Sequence, residues 1–284
     1  MENNQCPICN CKKIENIHKG TRDNPNIDVL KCEECEHIFL STFDHIRDSF
    51  YEKSKMREIK MDNKVWKEIT SKDNLRRAND LKDFIRDYVV LDFGCGKGGF
   101  LEAANPLSKE IYGIELDKVI QKELIGKGYT IWNDISECNK KVDIITMFHV
   151  IEHLINPIDI LKECYDKLNV GGRLVIETPN ANDALLSLYD VKAFADFTFW
   201  SPHIQLYNYK NLINLANKVG FVMEKDISMQ RYTLANHMYW LREGKAGGQN
   251  KWTMLNDVQL NDAYTKVLID SHMTDTLCMV FIKK

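Results

Sequence analysis

One stretch constrains the fold more than any other: Tyr88-Val-Val-Leu-Asp-Phe-Gly-Cys-Gly-Lys-Gly-Gly-Phe-Leu101. Val89-Val90-Leu91 is an apolar, β-branched run and reads as a buried strand. The strand ends at Asp92. The chain then turns through Gly94, Gly96, Gly98 and Gly99, and a helix is expected to start near Lys97. Glycines at such a turn let the backbone take positive φ and let a ligand approach it closely.

Gly94-x-Gly96-x-x-Gly99 on its own is shared with dinucleotide enzymes. Asp92 separates the two cases. A carboxylate at the strand tip repels a pyrophosphate and attracts an ammonium, and S-adenosylmethionine (SAM) carries an ammonium and a sulfonium. The whole stretch resembles motif I of class I SAM-dependent methyltransferases.

Further stretches fit the same resemblance in the right order. A second strand, Ile111–Leu116, ends in Glu115, where doubly wound sheets place an acid on the ribose hydroxyls. Asp117 competes for that role but falls beyond the strand tip. A third strand, Tyr129-Thr-Ile131, leads to Asp134, which in this family meets the adenine amine and otherwise reads as a helix N-cap. The fourth strand, Val142–Phe148, runs into His149-Val-Ile-Glu152-His153 and Pro157, similar to the family's motif after strand four. Glu152 and His153 are expected to cap and position the next helix. The turn Asn169–Gly172 and the strand up to Glu177 follow, then a sixth strand after Gly220 and a last strand, Thr276–Ile282. Under this resemblance the SAM contacts are Asp92, Gly94, Cys95, Gly96, Gly99, Glu115, Leu116, Asp134, Ile135, Phe148 and His149.

The N-terminal segment has a different signature. Cys6-Pro-Ile-Cys9 and Cys32-Glu-Glu-Cys35 are two tight knuckles about twenty residues apart, a spacing that resembles a zinc ribbon. Cys11 offers an alternative to Cys9, and the spacing favours Cys9. A segment this short takes its folding energy from the metal. It serves either as a wall over the substrate or as a structural clip.

The expected architecture is therefore α/β: a class I methyltransferase, Rossmann-like seven-stranded sheet with an N-terminal zinc ribbon. Residues 1–42 form the ribbon and 43–87 a helical connector. Residues 88–284 form the SAM-binding domain, with acceptor-pocket insertions at 181–210 and 229–275. In the connector, Trp66, Leu75, Leu81, Phe84 and Ile85 are expected to be buried, and Phe50-Tyr51 to lie near the substrate, as such an aromatic pair does in related methyltransferases.

The insertions carry the acceptor chemistry. Residues 181–210 are rich in aromatics, among them Tyr189, Phe194, Phe197, Phe199 and Trp200. Ser201-Pro-His203 resembles a stretch of zinc-ribbon sugar methyltransferases in which the His acts as, or beside, the general base. Those enzymes carry Glu-His where this chain has Pro202-His203, which leaves the partner of His203 open. A sugar hydroxyl needs such a base because its pKa lies far above neutrality. His203 is the first candidate and His149 the second. Arg231, in a segment resembling methyltransferases of surface-glycan loci, could hold a phosphate or carboxylate of the acceptor with its planar fork. A structural role for His203 and a surface ion pair for Arg231 are the plainer alternatives.

Bulk properties narrow the partners. The 284 residues carry 44% hydrophobic residues and a net charge of −3, with lysines scattered. That balance disfavours nucleic acid, which needs clustered Lys and Arg. No apolar run is long enough for a membrane span, and Met1-Glu-Asn-Asn-Gln does not read as a signal peptide, so a cytoplasmic enzyme is expected. The resemblance implies an O-methyltransferase using SAM and zinc. Its acceptor would be a small-molecule precursor of a bacterial surface polysaccharide: a sugar, a sugar nucleotide, or a phosphoramidate or other phosphorylated intermediate of capsule synthesis. An RNA methyltransferase using the ribbon to grip RNA, a sugar C-methyltransferase and a non-catalytic SAM-fold protein are the alternatives. A homodimer is compatible with the sequence.

Overall fold

A computed structural model describes residues 3–46 and 63–284. The Phe50-Tyr51 pair lies outside the described residues, as does the side chain of Trp66. Eleven strands are described: β1 (Ile14–His18), β2 (Val29–Cys32), β3 (Ile38–Leu40), β4 (Val89–Phe93), β5 (Glu110–Ile114), β6 (Thr130–Trp132), β7 (Val142–Phe148), β8 (Leu168–Pro179), β9 (Gln205–Leu206), β10 (Phe221–Asp226) and β11 (Thr276–Lys283). Seven of them form one sheet in the order β10-β11-β8-β7-β4-β5-β6. Strands β4 to β8 pair in parallel, while β11 runs antiparallel between β8 and β10. This is the expected Rossmann-like sheet with its inserted last strand, and the β4, β7 and β11 boundaries fall within a residue or two of those read from the sequence. The strand order reverses at β4, so its C-terminal end opens onto the crevice where such sheets bind ligands.

Helices cover both faces. On one side lie α1 (Asn63–Asp80), α2 (Lys82–Ile85), α3 (Gly99–Ala104) and α4 (Lys118–Gly126). They bury Ala78, Leu81, Ile85, Phe100, Leu101, Ala104 and Leu124 against Val90, Ile111, Ile144 and Val280. On the other side α5 (Pro157–Lys167) and α8 (Tyr209–Val219) bury Leu161, Cys164, Leu212 and Leu215 against Leu91, Ile145 and Met279. Each fully buried aliphatic side chain contributes roughly 1.5–3 kcal/mol. Leu75 departs from expectation: it is exposed, because α1 turns Ala78 toward the sheet instead. Asn74 lies over the start of α3, where a side chain at Gly99 would meet its amide, so a larger residue at 99 would push the Asn74 side chain aside.

The insertions add α6 (Ala184–Ser187) and α7 (Lys192–Thr198) before β9, and α9 (Leu234–Glu243), α10 (Gly248–Lys251) and α11 (Val258–Asp270) between β10 and β11. They meet at Trp240, whose ring lies 5.1 Å from Phe194 and 5.5 Å from Phe197. No helix among the described residues is long and apolar enough to cross a membrane.

The N-terminal segment is joined to the main domain through the sheet itself. β1, β2 and β3 form a meander, and β9 pairs antiparallel with β3 to make a four-stranded sheet. Residues 205–206 of the first insertion thus belong structurally to the ribbon. Cys6, Ile8, Cys32 and Phe39 share one apolar core with Tyr207 and Leu212.

Candidate active site

At the tip of β4, Asp92 is buried and accepts the Thr146 hydroxyl at 2.7 Å. Thr146 sits opposite it on β7, so neighbouring strands supply both groups. Burial raises the Asp92 pKa to about 7, only partly offset by the Thr146 bond. The turn that follows takes positive φ at Gly94, Gly96 and Gly98. A Cβ at Gly94 would strike Val150 at 2.6 Å, whereas one at Gly96 would meet nothing. Gly96 therefore faces open space, and its N–H donates to Glu115 Oε2 at 2.9 Å. Glu115 Oε1 accepts the Asp117 N–H at 2.8 Å. Asp117 is itself committed to α4, whose N-terminus it caps by accepting from Val119 and Ile120. That leaves Glu115 as the acid beside the glycine turn.

The other named cofactor positions fall along the same sheet edge with different environments. Cys95 is buried against Gly113, and Leu116 is exposed on the rim. Asp134 is the N-cap of a short 3-10 turn, accepting the Ser136 N–H at 2.8 Å, so the plainer reading of this residue describes at least one of its oxygens. Ile135 buries its side chain in the core, which restricts any cofactor contact from it to the main chain.

At the ends of β7 and β8 stands a network that the sequence did not announce. Glu177, wholly buried, accepts Arg76 Nη2 at 2.9 Å and Arg77 Nε at 3.0 Å and Nη2 at 2.5 Å. Its Oε1 also lies 3.4 Å from His149 Nε2. Burial opposes its charge, yet the His149 and Arg77 partners hold the carboxyl well below the usual range. Arg77 also stacks over Phe148, its Cζ 4.6 Å from the ring centre, and Phe148 meets Phe100 edge-on at 4.7 Å. His149 has a left-handed backbone, φ 57°, a conformation that costs a non-glycine residue energy and clusters at functional sites. Burial works against its charge, but Glu152 and Glu177 raise its pKa. Arg76 and Arg77 stand on a charged helix with no local motif, and their partner lies about a hundred residues on, so nothing in the nearby sequence marks them.

Glu152 and His153 do not cap α5, contrary to expectation. Asn156 precedes that helix without a side-chain cap and Pro157 opens it. Glu152 instead points into the domain, where it accepts Thr178 Oγ1 at 3.1 Å and faces His149 Nδ1 at 3.3 Å. Burial opposes its charge too, yet His149 and the nearby His153 lower its pKa to about 2. His153 Nδ1 bonds the Pro202 carbonyl at 2.8 Å, and the His153 and His203 rings lie 5.0 Å apart. Donor atoms of Glu152, His153 and His203 all lie within 4.8 Å of one another. Where Pro202 replaces the acid expected beside His203, Glu152 stands nearby in space.

The ribbon holds the loop that carries His203. Arg22 N donates to Phe199 O at 2.9 Å, and Asp23 accepts both the N–H and the hydroxyl of Ser201. The Arg22 guanidinium lies over Trp200 at 4.4 Å, and Trp200 in turn packs against His203. Two residues on, Gln205 ties the turn after β7 to the ribbon: its Nε2 donates to Leu154 O at 2.6 Å, and its Oε1 lies 3.2 Å from buried His37 Nε2. Burial lowers the His203 pKa to about 4, so its imidazole is neutral near pH 7.

Arg231 keeps its place by pairing with Asp275, which accepts the Arg231 and Tyr232 N–H groups at 2.8 and 3.1 Å and faces Arg231 Nε at 3.5 Å. The ion-pair reading of this residue is therefore realised, although Asp275 lies 6% exposed and Arg231 is close enough to Glu177 for their charges to interact. His237 is a satisfied packing residue between Gln230 and Tyr264.

Cys6, Cys9, Cys32 and Cys35 bring their sulfurs together, with the Cys6–Cys35 and Cys9–Cys32 pairs each 3.5 Å apart. That is close to the sulfur–sulfur edge of about 3.8 Å that a tetrahedron of Zn–S bonds about 2.3 Å long gives. The donors thus fit zinc. Cys11 is outside the cluster, its sulfur turned to the Lys13 backbone.

Comparison with known proteins agrees with this fold. The family model described as a methyltransferase domain matches residues 60–225. Among curated relatives, the ubiquinone biosynthesis O-methyltransferase of Proteus mirabilis is 27% identical over 104 residues, 33% of this chain and 42% of that protein. Its Glaesserella parasuis counterpart is 29% identical over 123 residues, 37% of this chain and 51% of that protein. The chain thus spans about half the length of these relatives. A SAM-dependent methyltransferase from Archaeoglobus fulgidus superposes with a TM-score of 0.52 at 19% identity, covering 76% of this chain and 94% of that one. Magnesium protoporphyrin IX methyltransferase of Synechocystis, solved with bound S-adenosylhomocysteine, gives 0.52 at 13% identity over 86% and 100%. At these identities the structures speak to the fold alone, while the family match covers more than half of the sequence; the chain belongs to the methyltransferase-domain family and has the class I methyltransferase fold.

Proposed function

We propose that this methyltransferase O-methylates a small-molecule precursor of a surface polysaccharide: a sugar, a sugar nucleotide, or a phosphorylated or phosphoramidate intermediate. The observation that carries the reading is His203, neutral at pH 7, on a loop clamped by the ribbon and beside the β7 end, where the donor's methyl is expected. In this reading Asp92 faces the donor's ammonium, Glu115 the ribose, and Phe148 and His149 the sulfonium side. Gly94, Cys95, Gly96, Gly99, Leu116, Asp134 and Ile135 complete the donor cleft, with Asp134 turned to the adenine. SAM brings the electrophile, and the protein supplies position and proton removal. His203 takes the acceptor's proton, or His149 in its place, while the exposed part of Arg231 meets a phosphate or carboxylate of the acceptor. Zinc on Cys6, Cys9, Cys32 and Cys35 holds the ribbon, and the ribbon holds the His203 loop. The aromatic residues of 181–210 and the helices of 229–275 shape the acceptor pocket.

That the curated relatives are named O-methyltransferases supports oxygen as the atom methylated. The sugar class rests on the resemblance of the ribbon and of the 201–212 and 230–248 stretches. Incubation with methyl-labelled SAM and a panel of sugars, nucleotide sugars and sugar phosphates tests it. Label is expected in an O-methyl product; label appearing only in RNA or protein would overturn the reading.

A further inference from the structure

We propose that Glu152, His153 and His203 bind a divalent transition-metal ion, a second metal site distinct from the ribbon's four cysteines. Their donor atoms, drawn from the 3-10 turn after β7 and the loop before β9, lie within 4.8 Å of one another. One point therefore lies within about 2.8 Å of all three, less than an ångström longer than the 2.0–2.2 Å of zinc bonds to nitrogen and oxygen.

The surroundings are those of a built site. The Pro202 carbonyl can only accept, so the His153 Nδ1 that meets it at 2.8 Å carries the proton. In that tautomer the ring's lone pair lies on Nε2. A backbone carbonyl fixing the tautomer in this way is the usual second partner of a ligating histidine. Glu152 is buried and oriented by Thr178 Oγ1 at 3.1 Å. His203 sits on a loop that Asp23 and Arg22 fix from the ribbon. Two imidazoles and one carboxylate suit zinc, cobalt or manganese better than calcium or magnesium, which prefer oxygen ligands throughout.

Three protein ligands leave a position open, as in catalytic zinc sites. His153 and His203 are partly exposed while Glu152 is buried, so that position faces outward. In the sugar-hydroxyl reading above, on which this last role rests, the acceptor oxygen takes the open position and the ion lowers its pKa. With His203 on the ion, the acceptor's proton goes to His149, the other candidate base.

Cobalt(II) titration of the 284-residue chain separates the two metal sites. Thiolate-to-cobalt charge-transfer absorption reports the ribbon, whereas a site of nitrogen and oxygen donors gives only weak ligand-field bands. Two equivalents per chain are expected, one of each type. His203→Ala and His153→Ala should each weaken the second by about tenfold or more while preserving the charge-transfer band, which also reports that the ribbon is folded. A wild-type protein that takes up only the thiolate-bound equivalent would overturn the proposal, as would a second equivalent that survives both substitutions. Methyl transfer to a sugar with one equivalent bound would refute the metal and spare the function; two equivalents without any such transfer would do the reverse.

Discussion

The Glu115 carboxylate accepts the Gly96 N–H at 2.9 Å, so the acid after β5 is tied directly to the glycine turn after β4. The acid and the turn are thereby one structural unit. Because Gly96 has open space beside it, a ligand entering there meets the carboxylate and the turn together. Glu115→Ala should weaken SAM binding by about tenfold to a hundredfold, the equivalent of one charge-assisted hydrogen bond of roughly 1.5–3 kcal/mol. Calorimetry with S-adenosylhomocysteine checks this; an unchanged affinity would remove Glu115 from the donor site.

In the proposed donor site, Asp92 should give donor binding a pH dependence with a defined sign. Burial raises its pKa to about 7, so below that pH it is largely protonated. The donor's ammonium favours the carboxylate. Affinity should therefore rise as pH increases through 7, with a proton released on binding below it. In the unliganded protein the sign is opposite for stability: ionising Asp92 costs folding free energy as pH climbs from its unfolded value of about 4 toward 7. Calorimetry in buffers of differing ionisation enthalpy should show the released proton, and Asp92→Asn should abolish it.

Removing the Glu177 charge leaves Arg76, Arg77 and His149 around an unpaired site. Glu177→Gln should cost about 3–5 kcal/mol, the range for breaking a buried ion pair, read as a lower urea midpoint. Both Glu177 and Glu152 are held below the ordinary carboxylate range, Glu152 at about 2. Their stabilisation is present above the unfolded carboxylate pKa of about 4 and is lost as pH falls through the folded values. Acid unfolding should accordingly be shallower in the Glu177→Gln variant; an unaltered acid slope would contradict the assignment.

Zinc removal should loosen more than the ribbon. β9 pairs with β3, and Asp23 holds Ser201, so a ribbon without metal releases the loop bearing His203. Cys9→Ser should lower both zinc content and methyl transfer, while Cys11→Ser, outside the sulfur cluster, should alter neither. Equal losses in the two variants would return Cys11 to the ligand set.

The parts of this molecule visible in its sequence are those written in consecutive residues. The β4 strand and glycine turn, the acid at Glu115 and the two cysteine knuckles each satisfy a local requirement of backbone or metal geometry. Contacts that join distant segments left no such trace. The chain around Arg76 and Arg77 reads as an ordinary charged helix, and only the folded sheet brings them to Glu177. Leu75 is apolar and reads as buried, but α1 turns Ala78 inward and leaves Leu75 exposed. Glu152 and His153 read as a helix cap because a helix follows them. In the fold they turn the other way, toward Thr178 and Pro202, and His203 gains in space the acid that its own neighbour Pro202 does not provide.

The most direct test lies at His203. Single-turnover methyl transfer, at saturating SAM and with the acceptor found in the labelled panel, should fall about a hundredfold or more in His203→Ala, the loss expected when a proton acceptor is removed. The affinity for S-adenosylhomocysteine should stay unchanged. Equal single-turnover rates in the variant and the wild type would contradict the assignment of His203 to the acceptor side of the reaction.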